Sequence, residues 1–110
     1  MGRFAVGEVV LISFPFSNLQ GQKIRPALIL AKAEFGDFVL CQITSKPYRS
    51  EIAIKIGLND FAKGKLPVVS YVRPDKLFTA DSSIIRKTVG RLTVAKTNSI
   101  LENVLEVFRL

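Results

Sequence analysis

The sequence contains no histidine, no tryptophan and only one cysteine. Because histidine is the commonest general acid–base and metal ligand, its absence excludes zinc fingers, histidine-based triads and ribonuclease chemistry with paired histidines. A single cysteine precludes an intrachain disulfide and favours a reducing compartment. No apolar run approaches the ~18 residues of a membrane span. We therefore expect a single domain over residues 1–110, cytoplasmic and without membrane contact.

Acidic residues are also scarce relative to basic ones. The chain has sixteen Lys and Arg residues and nine Asp and Glu residues, which gives a net charge of +7. A small domain with this excess attracts polyanions such as nucleic acid, although a merely basic protein has the same composition. The hydrophobic fraction is nevertheless 48%. Part of this apolar surface is therefore expected to be covered by a second subunit.

Short apolar runs separated by turn residues predict a mainly β protein. A single helical turn is predicted over residues 59–64, ended by Gly64. Residues 84–90 fit either a strand or a turn. The predicted strands cover residues 8–14, 26–31, 38–44, 51–56, 68–73 and 76–79, with Pro74 ending the fifth.

The last segment has the spacing of an amphipathic helix. Leu101, Val104, Leu105 and Phe108 recur at i, i+3, i+4 and i+7, and Val94 lies two turns earlier on that side. Thr93 is a suitable N-cap residue. The spacing predicts a helix over residues 94–108 whose apolar stripe packs on the sheet.

The residues leave few routes to polyanion cleavage. The carboxylates are scattered without metal-ligand spacing, so no metal or other cofactor is expected. Cys41 lies in an apolar strand without a histidine partner, which favours a core role. Arginine and hydroxyl side chains remain, and Arg25, Thr44 and Arg73 stand at predicted strand ends. Spacing alone leaves open that each is an ordinary surface residue.

Four segments together resemble the PemK/MazF family, the toxins of type II toxin–antitoxin modules. They read GEVV to FPF over residues 7–16, GQKIRPALIL over 21–30, CQITS over 41–45 and SYVRPDKL over 70–77. The resemblance covers nearly the whole chain in order. It implies a small SH3-like β-barrel with a C-terminal helix, a homodimer and an acidic cognate antitoxin.

The resemblance also implies a metal-independent, sequence-selective endoribonuclease that cleaves single-stranded mRNA to 2′,3′-cyclic phosphate and 5′-hydroxyl ends. Arg25 and Thr44 match the family's catalytic positions, and Arg73 matches a position expected to bind RNA. Ser70 stands where some relatives have an acidic base, so the resemblance assigns no general base here.

Other polar and aromatic residues are weaker candidates for RNA contact. Ser45 is expected beside the scissile phosphate, and Tyr48 or Phe16 to stack on a base. Three glutamines are candidates to read base edges: Gln20, Gln22 and Gln42. Two alternatives remain open, a CcdB-like toxin that binds DNA gyrase and an inactive SH3-like RNA-binding module.

Overall fold

A computed structural model describes residues 4–14 and 23–109 of the chain. Within them, short 3-10 turns occupy Glu34–Gly36, Leu58–Asp60 and Ser82–Ile84. None of the helices in these residues is long and apolar enough to cross a membrane. The strands and the helix are β1 Glu8–Phe14, β2 Lys23–Lys32, β3 Asp37–Thr44, β4 Ile54–Ile56, β5 Phe61–Gly64, β6 Ser70–Asp81, β7 Ile85–Leu92 and α1 Val94–Val107.

The strands form one antiparallel sheet in the order β4-β6-β3-β2-β1-β7-β5. The sheet curls into a half-barrel, and the C-terminal helix follows its last strand. The prediction of a mainly β fold with a C-terminal helix is confirmed. Because β3 is antiparallel to both β2 and β6, the start of β2, the end of β3 and the start of β6 lie at the same end of the sheet.

The central strands are buried on both faces. Since side chains alternate along a strand, Val9 and Leu28 enter one apolar cluster while their neighbours Val10 and Ile29 enter a second. Ile100 of α1 completes the first cluster. This two-sided burial explains why β1 to β3 are nearly continuous apolar runs in the sequence.

β2 begins three residues earlier than predicted, at Lys23. Its first residues pair with β1, since Lys23 lies opposite Phe14 and Arg25 opposite Ile12. Pro26 is tolerated inside the strand because the pairing of β2 with β3 begins only at Ala27. The pairing with β1 thereby keeps the first residues of β2 in the sheet, beyond the point where its pairing with β3 ends.

The prediction that Pro74 ends a strand is wrong. β6 runs without interruption from Ser70 to Asp81, and Pro74 is completely buried within it. The β3–β6 register shifts between Ile43, which is opposite Val72, and Cys41, which is opposite Leu77. Pro74 lies in this irregularity, where a missing N–H costs no ladder hydrogen bond.

The predicted helical turn over residues 59–64 is also wrong from Phe61 onwards. Only Leu58–Asp60 is helical, and Phe61–Gly64 forms β5 against β7. Gly64 has φ +69° and packs directly on the backbone of Val89 and Gly90. It is therefore a close-approach glycine of the sheet, not a helix cap.

Two further segments bear on the predicted strands: residues 51–56 form a shorter strand than predicted, and residues 84–90 fit either a strand or a turn by sequence alone. Only Ile54–Ile56 of residues 51–56 is a strand, and Ile52 is exposed. The Ser50 hydroxyl accepts a hydrogen bond from the Ala53 amide at 3.1 Å, which holds the preceding residues in a bend. The ambiguous segment 84–90 is resolved in favour of strand, since Ile85–Leu92 forms β7.

The C-terminal helix is confirmed at both ends to within one residue. Thr93 caps it by accepting a hydrogen bond from the Lys96 amide at 3.1 Å. Its buried side chains are Thr97, Ile100 and Val104. The predicted stripe is thus wrong in part, because three of its members are exposed: Val94, Leu105 and Phe108.

Replacing Gly64 with alanine should destabilise the sheet. The left-handed backbone alone costs roughly 1–2 kcal/mol for a residue with a Cβ atom. That Cβ would also overlap the Val89 carbonyl oxygen and lie 2.7 Å from the Gly90 Cα. Urea unfolding measures the loss, with Gly57→Ala as the matched control because its added Cβ meets nothing within 4 Å. Equal free energies of unfolding for the two variants would contradict the close packing of β5 on β7.

A basic groove at the ends of three strands

A groove of about 740 Å³ opens where β2 begins, β3 ends and β6 begins. We call it the basic groove. It collects side chains from separate parts of the chain because the antiparallel sheet brings those strand ends together. Its lining residues are Leu11, Lys23, Ile24, Arg25, Pro26, Ile43, Thr44, Ser45, Lys46, Tyr48, Leu66, Pro67, Val68 and Ser70.

Arg25 and Thr44 meet in this groove because of the β2–β3 register. The β2–β3 pairing ends where Ala27 lies opposite Gln42. Arg25 and Thr44 lie two residues beyond that pair along their antiparallel strands, so they lie at the same end of the sheet and both line the groove. Arg25 is exposed and Thr44 is half-buried. The predicted catalytic pair is therefore brought together, with Ser45 as an exposed neighbour that also lines the groove.

The electrostatics of the groove are one-sided. Lys23, Arg25 and Lys46 all line it and all are exposed, whereas none of the described lining residues is acidic. Three cations without local carboxylates form a site that suits a phosphodiester. No group of three or more potential metal ligands occurs among residues 4–14 and 23–109.

Thr44 also organises the loop that follows it. Its Oγ1 accepts a hydrogen bond from the Lys46 amide at 3.0 Å. The hydroxyl donates only over a long 3.4 Å contact to the Lys46 carbonyl oxygen. Because that contact is weak, the hydroxyl hydrogen is available to a phosphate oxygen while the loop stays anchored through the amide.

Ser70 lines the groove but is not a free polar group. It is buried, and its hydroxyl donates to the Val68 carbonyl oxygen at 3.0 Å. The Ser70 hydroxyl hydrogen is therefore already used in a hydrogen bond within the chain. A carboxylate that could act as a base is absent from the described lining of the groove.

The remaining predicted RNA-binding residues lie elsewhere. Arg73 does not line the groove and forms an ion pair with Asp75 at 3.3 Å. Gln42 is half-buried in β3, opposite Ala27 and outside the groove lining. The remaining predicted residues, Gln20, Gln22 and Phe16, fall outside the described residues.

Sequence reasoning missed Lys23 and Lys46 as members of the site. Lys23 belongs to β2 only through its pairing with Phe14 of β1, which no local pattern signals. Lys46 stands beside the predicted Thr44 and Ser45, so proximity along the chain was an available signal. Their contribution becomes apparent only when the strand ends are assembled.

Cys41 is a core residue, as predicted. It is completely buried in β3, and this burial raises the pKa of its thiol to about 12. The thiolate is the nucleophilic form of cysteine, so this side chain is inert at neutral pH.

The family model for the PemK-like, MazF-like toxins of type II toxin–antitoxin systems matches residues 5–108. The chain belongs to this toxin family. The resemblance carried by the sequence segments is thereby confirmed. No curated protein matches the chain by sequence.

Solved structures of MazF-type toxins share the fold at low sequence identity. A mycobacterial endoribonuclease in complex with its cognate antitoxin superposes with a TM-score of 0.70 at 19% identity, covering 92% of this chain and 90% of that one. MazE–MazF from Deinococcus radiodurans gives a TM-score of 0.72 at 19% identity, with 93% and 92% covered. Toxin MazF-mt6 of Mycobacterium tuberculosis gives 0.70 at 18%, with 92% and 95% covered.

Proposed function

We propose that this PemK/MazF-like toxin is an endoribonuclease that cleaves single-stranded mRNA in the basic groove. The observation that carries the proposal is the meeting of Arg25 and Thr44 beside Lys23 and Lys46, with no acidic side chain in the described lining. The names of the structural relatives, which include endoribonucleases, support the same activity.

The proposed reaction uses the nucleophile that RNA itself carries. The 2′-oxygen attacks the adjacent phosphorus, and the bond from phosphorus to the 5′-oxygen breaks. The products are a 2′,3′-cyclic phosphate and a 5′-hydroxyl. The 2′-hydroxyl loses one proton and the leaving 5′-oxygen gains one, so the proton count balances.

Each groove residue has a role that its chemistry allows. The planar Arg25 guanidinium binds two phosphate oxygens and stabilises the charge that builds up on them in the transition state. The Thr44 hydroxyl donates to a nonbridging oxygen. Lys23 and Lys46 hold the flanking phosphates. The described lining offers no carboxylate or imidazole to accept the 2′-hydroxyl proton.

Arg25→Ala should lower the cleavage rate by about 10²–10³-fold, the usual cost of losing one transition-state donor. The assay is cleavage of a long single-stranded RNA in EDTA, with the new 5′ ends sequenced. Arg109→Ala is the matched control, because it removes the same charge from the exposed end of the chain. A folded Arg25→Ala protein that cuts at the wild-type rate would refute the assignment.

The same assay separates the alternatives. Discrete cuts in EDTA support a metal-independent endoribonuclease. Inhibition of DNA gyrase without RNA cleavage would identify a CcdB-like toxin. Retention of RNA without either activity would identify an inactive RNA-binding module.

We also propose a homodimer that covers the outer side of α1. Val94, Leu105 and Phe108 are 77%, 53% and 67% exposed. Their spacing places them on one side of the helix, away from the buried Ile100. An apolar helix face left in water is unfavourable, and a second copy of the chain is the partner that the high hydrophobic content predicts.

Sedimentation at micromolar concentration should show a particle of twice the 12.2 kDa chain mass. Phe108→Asp should shift it towards the monomer because the substitution charges the covered face. Phe35→Asp is the matched control, since Phe35 is 95% exposed in a different turn. A wild-type protein that sediments only as a monomer would contradict the dimer.

The third part of the proposal is an acidic antitoxin whose tail occupies the basic groove. A second cavity of about 220 Å³, bounded by Leu58, Phe61 and Val69, shares the apolar Leu66 and Val68 with the groove. A peptide with acidic and apolar residues would satisfy both surfaces at once. The antitoxin complexes among the structural relatives support such a partner.

The acidic tail peptide of the cognate antitoxin should displace a labelled, uncleavable RNA from the toxin. Added salt should slow its association because the attraction is electrostatic. A peptide of equal charge with its apolar residues replaced by serine should compete less well. If RNA and the tail peptide bind together without mutual displacement, steric blocking of the groove is wrong.

A further inference from the structure

Tyr48 is an exposed aromatic residue on the rim of the basic groove. Its side chain lines the groove together with Arg25, Thr44 and Lys46, yet the residue is 85% exposed. A large ring that faces water gains little from the fold around it. Its place beside the proposed phosphate site therefore calls for a partner outside the chain.

The backbone at Tyr48 is strained. Its φ is +52°, a left-handed conformation that glycine and asparagine adopt at much lower cost than a bulky residue. Strain of this kind persists where the surrounding structure enforces it, and it is concentrated at functional sites. A tyrosine at this position opposes local stability, so burial within the monomer does not explain it.

The loop around Tyr48 is held by three hydrogen bonds. The Ser50 amide donates to the Pro47 carbonyl oxygen at 3.0 Å across the turn that contains Tyr48. The Ser50 hydroxyl accepts from the Ala53 amide at 3.1 Å. On the other side, the Thr44 hydroxyl accepts from the Lys46 amide at 3.0 Å. The ring is thus carried on an ordered turn anchored to the proposed catalytic threonine.

We propose that Tyr48 is a stacking platform for an unpaired RNA base next to the scissile phosphate. This inference rests on the proposed endoribonuclease function and adds the residue that selects single-stranded substrate. Every base has a π-face, so stacking on Tyr48 tolerates any sequence. A duplex offers no free base face at internal positions, and the platform therefore favours unpaired strands.

The geometry assigns separate tasks to neighbouring residues. Arg25 and Lys46 contact the phosphate backbone, and the Tyr48 ring takes the base attached to it. Because the turn is already ordered, little entropy is lost when the base stacks. Tyr48 contributes binding and selectivity and takes no part in the proton transfers.

The test compares Tyr48→Gly with Phe35→Gly. Phe35 is the matched control because it is also exposed and also has a positive φ, +61°, in a turn at the opposite end of β3. Both variants relieve the same backbone strain and remove one exposed ring. Tyr48→Gly should reduce kcat/KM on single-stranded RNA by about 5- to 150-fold, the range expected from one lost stacking contact. Phe35→Gly should leave it unchanged.

Tyr48→Phe distinguishes the ring from the hydroxyl. It should recover most of the activity that Tyr48→Gly loses, since phenylalanine retains the π-face. If Tyr48→Phe is as impaired as Tyr48→Gly, the hydroxyl carries the effect and the stacking proposal is overturned. Wild-type activity of Tyr48→Gly would overturn it as well.

A binding readout keeps this inference separate from the cleavage proposal. A fully 2′-O-methylated single strand containing 2-aminopurine cannot be cleaved, and stacking on an aromatic ring quenches its fluorescence. Quenching that disappears in Tyr48→Gly supports the platform even if no RNA is ever cut. Binding without Tyr48-dependent quenching refutes the platform while the endoribonuclease survives, and absence of any RNA binding refutes both.

Discussion

The antiparallel pairing of β2 with β3 is the constraint on which the candidate site depends. It brings Arg25 and Thr44, which are 19 positions apart in the sequence, to the same end of adjacent strands. A slip of one residue would turn each side chain of one strand to the opposite face. Such a slip would have to repack both apolar clusters, since Leu28 and Ile29 occupy different ones.

Three acidic residues form ion pairs outside the lining of the basic groove. Asp75 pairs with Arg73, Asp60 with Lys96 and Glu106 with Arg109. None of these three carboxylates lines the groove. The groove cations Lys23, Arg25 and Lys46 therefore have no acidic side chain beside them in the described lining. Lys23, Arg25 and Lys46 therefore attract a polyanion more strongly than the cations of these ion pairs do.

Thr44 links the two halves of the proposed mechanism. Its oxygen anchors the Lys46 amide, and among the described residues its hydrogen has only a weak acceptor. The same residue can therefore orient a phosphate and hold the turn that carries Tyr48. The backbone strain at Tyr48 persists because the turn is also held on its C-terminal side, by the hydrogen bonds of the Ser50 amide and hydroxyl.

Much of this protein could be predicted from the sequence by itself. The β1 strand, the capped helix after Thr93, the inert Cys41 and the family resemblance all rest on local patterns or on residue types. Local reasoning failed at Pro74, at Phe61–Gly64 and on the outer side of α1. At Pro74 a register shift removes the need for its N–H, and at Phe61–Gly64 a partner strand overrides the local turn preference. The tertiary structure alone decided that Lys23 and Arg25 of β2 meet Thr44 and the loop that follows it in one groove. Proximity between strand ends is set by sheet register and curl, which no sequence window contains.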